Sequence, residues 1–286
     1  PYRGCEHGCI YCFARPTHAY LGLSPGLDFE SRLFAKPEAA TLLRRELADP
    51  KYICQPIAMG TNTDPYQPIE REWQVTRQIL EVLNAQHHPV TIVTKSALVL
   101  RDLDILSDMA TRNLVRVALS VTTLDAKLAR AMEPRASSPP RRIEAIRQLA
   151  AAGIPTTVMT APMIPALNDM EMETILATAK EAGASAAGYV ILRLPLEIKD
   201  LWREWLQEHY PDRAAKVMSL IRSMRGGKDY DANWRQRMSG SGEYAIMIRQ
   251  RFRLAIRKLG LERRIQPLDT TRFVPPVLPG QQMRLL

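Results

Sequence analysis

Cys5-Glu6-His7-Gly8-Cys9-Ile10-Tyr11-Cys12 places three cysteines within eight residues at the spacing C-x3-C-x2-C. The only other cysteine, Cys54, stands far away on an apolar run and reads as a buried core thiol. Three thiol ligands in so short a loop point to a metal or cluster site. A [4Fe–4S] cluster takes a cysteine thiolate on each iron, so three cysteines leave one iron open to chelate a small molecule. A structural zinc site completed by His7 or His18 is the alternative, since zinc accepts three cysteines and one histidine. Zinc knuckles, however, pair two C-x2-C halves across a longer spacer, and only one compact half is present. A disulfide fits less well, because crowded cysteines in a cytosolic chain bind metal or do redox chemistry.

The remaining 274 or so residues past the loop must bury a core. With 46% hydrophobic and 24% charged residues the 286-residue chain has the composition of an ordinary globular protein, enough for one large α/β barrel with an appendage. No apolar run reaches the roughly 18 residues that a membrane helix needs. No secretory segment is visible and the chain reads as cytoplasmic, although Pro1 in place of Met implies a further segment upstream. The net charge of +9 is unevenly spread. Residues 1–200 hold 22 Lys and Arg against 22 Asp and Glu, whereas residues 201–286 hold 17 against 8. A neutral body with a basic last third suits a polyanionic partner such as nucleic acid; a solvated basic face is the alternative.

Short apolar or β-branched runs over residues 53–59, 89–94, 114–121, 154–160 and 186–192 read as strands. Between them lie helical patterns over 37–48, 69–86, 103–112, 125–132, 138–153 and 168–182. Ser138 and either Asn168 or Asp169 are set to cap two of these, and Gly153 to end one. Apolar strands alternating with amphipathic helices imply a parallel sheet with right-handed crossovers. After residue 195 the alternation stops. Helices are expected over 196–210, 211–224 and 242–259, the last interleaving Tyr244, Phe252 and aliphatic residues with Arg249, Arg251, Arg253, Arg257 and Lys258. Its apolar stripe should dock on the barrel and its charges face water or a phosphate backbone. The tail from Gln266, with four prolines, should be extended. Two regions follow: a core over 1–195 and a helical, basic extension over 196–286.

The cysteine loop, with an aromatic residue (Tyr11) just before the third cysteine, resembles the signature of the radical S-adenosylmethionine (radical SAM) superfamily. The resemblance implies a [4Fe–4S] cluster on Cys5, Cys9 and Cys12 with S-adenosylmethionine on the open iron. It also implies cleavage to a 5'-deoxyadenosyl radical and a partial (β/α)6 TIM-like barrel whose first strand precedes the cysteines, here upstream of Pro1. An external electron donor, such as a flavodoxin or ferredoxin, would reduce the cluster. Barrels of this kind place their chemistry at the C-terminal ends of the strands. Tyr11 would lie against the adenine. Thr61, Asn62, Thr63 and Asp64, at the end of the 53–59 run, would hold the methionyl ammonium, or simply form an Asx-type turn before Pro65. Lys95 would meet the methionyl carboxylate or point to solvent; Ser120 would hold ribose hydroxyls or cap a helix. Arg135, in a turn framed by Pro134, would clamp a carboxylate or pair with Glu133. Residues 159–164 form an apolar rim suited to adenine or to plain core.

Within the superfamily the resemblance, carried by residues 1–9, 61–64, 94–96 and 120, is closest to spore photoproduct lyase and its uncharacterised relatives, and covers about the first 200 residues. The lyase carries a hydrogen-donating cysteine where this chain has Thr61. An O–H is a far poorer hydrogen-atom donor than a thiol, so thymine-dimer reversal by that route is not expected. A radical enzyme acting on a nucleic acid or nucleotide-derived substrate is the leading expectation. The alternatives are the same chemistry on a peptide or small metabolite, or a non-catalytic metal or cluster protein that binds nucleic acid. Trp202, Trp205, Tyr230 and Trp234 are candidates for a substrate pocket, with core packing as their default.

Overall fold

Alternation of side-chain direction along each strand organises this molecule, because the two faces of its sheet meet different environments. The computed structural model describes residues 1–234, 236–261 and 266–278. Two short antiparallel strands, β1 (Tyr2–Arg3) and β2 (Phe34–Ala35), frame the cysteine loop. The main sheet is β3 (Ile57–Met59), β4 (Val90–Thr94), β5 (Val115–Ser120), β6 (Thr156–Met163) and β7 (Ala186–Ile191) in that spatial order, every pair parallel. Helices α1 (Asp28–Ser31) to α8 occupy the connections: α2 (Ala39–Leu47), α3 (Glu70–Trp73), α4 (Val75–Ala85), α5 (Leu103–Thr111), α6 (Ala126–Met132), α7 (Pro139–Ala151) and α8 (Met172–Glu181). On β4 and β5, Val90, Ile92, Val115, Val117 and Leu119 are fully buried beneath these helices. Val93 and Lys95, which alternate with them, face a cavity instead. The sheet with its crossover helices is the α/β architecture expected of the core.

Three sequence expectations change. The 53–59 run is a strand only over Ile57–Met59, with Ile53 77% exposed and Cys54 half-buried. It forms an edge of the sheet, and Pro56 lacks the N–H that would extend the ladder. Cys54 is therefore not a core thiol, although it does lie before β3, away from the strand ends that build the site. The 69–86 helix is broken at Gln74, whose left-handed φ of 49° separates α3 from α4. Asn168 and Asp169 do not cap α8 by side chain. Asn168 accepts from the Ile164 N–H (2.7 Å) and donates to the Thr122 and Pro162 carbonyls (2.8 and 3.0 Å), tying the ends of β5 and β6 together.

The last third is woven into the same cores. Helices α9 (Ile198–His209) and α10 (Pro211–Ser223) join Cys9, Tyr11, Leu128, Met132 and Ile164 in one apolar cluster. Within it Trp202 and Trp205 stack at 5.0 Å, whereas Trp234 is 78% exposed. Helix α11 (Gly242–Leu259) docks on α8 and β7: Arg251 pairs with Glu173 (2.6 Å), Tyr244 donates to Asp169 (2.7 Å), and Phe252 packs on Tyr189 at 4.7 Å. Its apolar stripe is thus the docked face, as expected. Residues 266–278 then run along the opposite end of the sheet, where Asp269 and Val274 donate to the Asn113 and Gln86 carbonyls (both 3.0 Å). The extended tail holds for these residues; 279–286 lie outside the described residues.

Candidate functional site

The cysteine loop is built around Arg15, a buried guanidinium that donates to the Cys9, Gly8, Pro25 and Gly26 carbonyls at 2.9, 3.1, 3.1 and 2.7 Å. Five donors in a rigid fork suit a template for an irregular loop. The Cys5 N–H donates to the Phe29 carbonyl (2.9 Å) and Ile10 to Met132 at the end of α6 (3.0 Å). Gly8 has a left-handed φ of +68°, which favours glycine, and a Cβ there would displace the Glu30 and Arg135 side-chain ends.

Cys5, Cys9 and Cys12 are free thiols lining one small cavity of about 100 Å³ with His7, Asn62, Asp64, Lys95 and Ser120. Burial pushes the Cys9 thiol well up, and burial with the neighbouring Cys5 pushes Cys12 to about 11. Ligation to a metal deprotonates such thiols outright, so loading releases protons. Among the described residues, no three His, Cys, Asp or Glu side chains are arranged to hold a single metal ion. Of the two candidate histidines only His7 lines the cavity with the cysteines. His18 Nε2 meets the Arg32 carbonyl (3.0 Å). His7 lies in the cavity 3.4 Å from Asp64; burial would lower its pKa, but the Asp64 carboxylate and Cys5 more than reverse this, to about 10.

The small cavity adjoins a larger one of about 510 Å³ at the C-terminal ends of the strands, in the size range of small-molecule sites. Tyr11, Gly60, Val93, Lys95 and Ser120 line both. Gly60, with φ +84°, lets β3 and β4 approach: a Cβ would sit 1.9 Å from the Val93 carbonyl oxygen. The four residues after it diverge. Thr61 lines the large cavity and Asn62 the small one. Thr63 instead donates to the Tyr2 carbonyl (2.9 Å). Asp64 braces the strand ends, accepting from Thr94 Oγ1 (2.7 Å), the Lys95 N–H (2.8 Å) and the Tyr66 N–H (2.9 Å). Burial disfavours its charge, yet His7 and these donors hold it at about 2.

Lys95 is half-buried, its Nζ 5.8 Å from the Tyr11 ring centre. Burial opposes its charge, but Cys9 and Glu133 raise its pKa. Met159, Ala161 and Pro162 line the large cavity as an apolar wall, while Met163 and Ile164 are core. Beneath lies a network that sequence reasoning missed. Glu133, fully enclosed, accepts from Tyr11 Oη, from Thr122 Oγ1 (2.6 Å) and from Arg142. Arg142 also donates to the Ser120 carbonyl (3.0 Å), so one carboxylate fixes both Tyr11 and the end of β5.

Arg135 corrects an expectation. It pairs with Glu30 and the Glu6 carbonyl behind the cysteine loop and lines neither cavity, while Glu133 takes Arg142 as its partner. The signal for this was absent from local sequence, since Glu30 lies 105 residues from Arg135.

Comparison with known proteins agrees with this geometry. The family model of the radical SAM superfamily matches residues 1–179. An uncharacterised protein of Mycobacterium tuberculosis is 36% identical over 223 residues, covering 77% of this chain and 66% of that protein. An uncharacterised protein of Methanocaldococcus jannaschii is 28% identical over 211 residues, 74% of this chain and 75% of its own. The chain thus spans just under two thirds of the length of its mycobacterial relatives. Spore photoproduct lyase, solved in complex with dinucleoside spore photoproduct, has the same fold at a TM-score of 0.60 and 16% identity, covering 91% of this chain and 73% of the lyase. Members of the matched family use a [4Fe–4S] cluster and S-adenosylmethionine. The chain belongs to the radical SAM superfamily.

Proposed function

We propose that the chain is a radical SAM enzyme acting on a nucleic acid or nucleotide-derived substrate. The observation that carries the reading is that the pocket of three free thiols adjoins the larger strand-end cavity and shares lining residues with it. These thiolates would hold a [4Fe–4S] cluster, which, with an external flavodoxin or ferredoxin as reductant, would supply the electron for cleavage of S-adenosylmethionine to methionine and a 5'-deoxyadenosyl radical. In this reading Cys5, Cys9 and Cys12 hold the cluster. Lys95 meets the methionyl carboxylate, and Thr61 with Asn62 meets the ammonium. Ser120 serves the ribose and Tyr11, locked by Glu133, orients the adenine beside Met159 and Pro162. Asp64, Thr63 and Arg135 act one step back, by fixing the strand ends and the loop.

The substrate class is supported by the basic last third of the chain and by likeness of fold to a lyase that binds a dinucleoside photoproduct. The described lining of the large cavity includes no cysteine, which fits a reaction that does not end by hydrogen transfer from a strand-end thiol. Anaerobically reconstituted protein with dithionite and S-adenosylmethionine should release 5'-deoxyadenosine. Stoichiometric zinc with no cleavage would refute the enzyme, and substrate-dependent turnover on a peptide alone would refute the substrate class.

A further inference from the structure

The large cavity has an outer rim that none of the cofactor roles uses. It is contributed by Arg193, just past β7, and by Arg237 and Met238 from the segment between α10 and α11. This rim is held in place. The Met238 carbonyl accepts from the Ile191 N–H (2.8 Å), and the buried Arg225 donates to the Leu192 and Gln236 carbonyls (2.9 and 2.8 Å). Each rim arginine lies on an aromatic ring: Arg193 Cζ is 4.2 Å from the centre of Phe13, the residue after the third cysteine, and Arg237 Cζ is 3.6 Å from that of Trp234. The Nε of each is buried without a hydrogen-bond partner. The described lining carries three cations, Lys95, Arg193 and Arg237, and no carboxylate.

Arg193 spends one donor on Met238 Sδ (3.7 Å), and the remaining donors of the two stacked guanidinium groups can meet phosphate oxygens. Cations around a low-dielectric cleft also concentrate anions there. With Lys95 committed to the methionyl carboxylate, the two arginines are in excess of what the cofactor needs. We infer that Arg193 and Arg237 form a clamp for a phosphate group of the substrate, whether a nucleotide monophosphate or a phosphodiester of a strand, at the mouth of the cavity. The inference rests on the proposed function and narrows its substrate class. Phe13 and Trp234, which carry the arginines, also offer faces on which a base can stack.

The test uses full-length, anaerobically reconstituted protein with S-adenosylmethionine and measures binding of thymidine, thymidine 5'-monophosphate and a 12-nucleotide oligothymidylate. Either phosphorylated probe should bind more tightly than thymidine, and inorganic phosphate should compete. Preference for the monophosphate or for the strand identifies which source the site takes. R193Q and R237Q should each weaken the phosphorylated probes by about tenfold or more, the scale of a lost charge-assisted hydrogen bond, and leave thymidine unchanged. R193K and R237K, which preserve charge and bulk, should fold as wild type and recover part of the affinity; loss in the glutamine variants with no recovery in the lysine variants would refute a charge-based clamp. Equal binding of phosphorylated and unphosphorylated probes by wild-type protein overturns the inference. If that protein still releases 5'-deoxyadenosine, the enzyme reading stands without the clamp.

Discussion

Replacing Glu133 by glutamine removes one buried charge while keeping size and shape, and it should be the most costly conservative change near the site. Burial works against this carboxylate, but Arg142 and Lys95, with the Thr122 and Tyr11 hydroxyls, hold its pKa at about 2 against an ordinary 4.5. At ~1.4 kcal/mol per pH unit, that difference corresponds to about 3 kcal/mol favouring the folded state. The figure agrees with the ~3–5 kcal/mol lost when one partner of a buried ion pair is removed, which here strands Arg142. The assay is urea unfolding of E133Q and wild type at pH 7. With a slope on the order of 3 kcal/mol/M, the midpoint should fall by about 1 M. Because the folded-state pKa is depressed, the stabilisation is complete above about 4.5 and is lost as pH falls through about 2, so the gap between the two proteins should close across that window. A double variant E133Q/R142M should lose less than the sum of the singles, by about 1–3 kcal/mol. E133Q within ~0.5 kcal/mol of wild type at pH 7, or a gap that does not depend on pH, would refute the electrostatic account.

Further outcomes follow from the same geometry. C9A should lose iron and acid-labile sulfide after reconstitution, whereas C54A, half-buried and remote from the strand-end site, should keep both; iron counts per chain check this. G60A should be destabilised by more than ~1–3 kcal/mol, because its Cβ would meet the Val93 carbonyl and its backbone is left-handed, and a lowered thermal midpoint reads the effect. K95M should weaken S-adenosylmethionine binding by about tenfold or more, measured by equilibrium dialysis, with partial recovery in K95R.

The sequence carried the sheet and the cofactor loop because both are local patterns. The β-branched run ending at Thr94 alternates buried and cavity-facing positions, which is why Lys95 could be placed at a strand end. Ser120, in register with Lys95, reaches the cavity for the same reason, whereas Thr61 reaches it from the bend after Gly60. What could not be read was pairing across distance. His7 with Asp64, Arg135 with Glu30 and Glu133 with Tyr11 each join residues more than fifty positions apart. Arg135 and Arg142 flank one turn, and only the folded direction of each side chain decides which one reaches Glu133. The 53–59 run misled because β3 is an edge strand that Pro56, which lacks an N–H, cuts short. Arg237 and Met238, in a stretch without periodic pattern, gave no sign that they wall the cavity.

The apolar cluster that joins Cys9 and Tyr11 to Trp202, Trp205, Val217 and Ile221 sets an order of events in synthesis. The cysteine loop leaves the ribosome before α9 and α10, which follow about two hundred positions later. At roughly 5–20 residues per second, some 10–40 s separate the two. During that interval Cys9 and Tyr11 lack the α9 and α10 side of the apolar cluster that buries them in the finished fold.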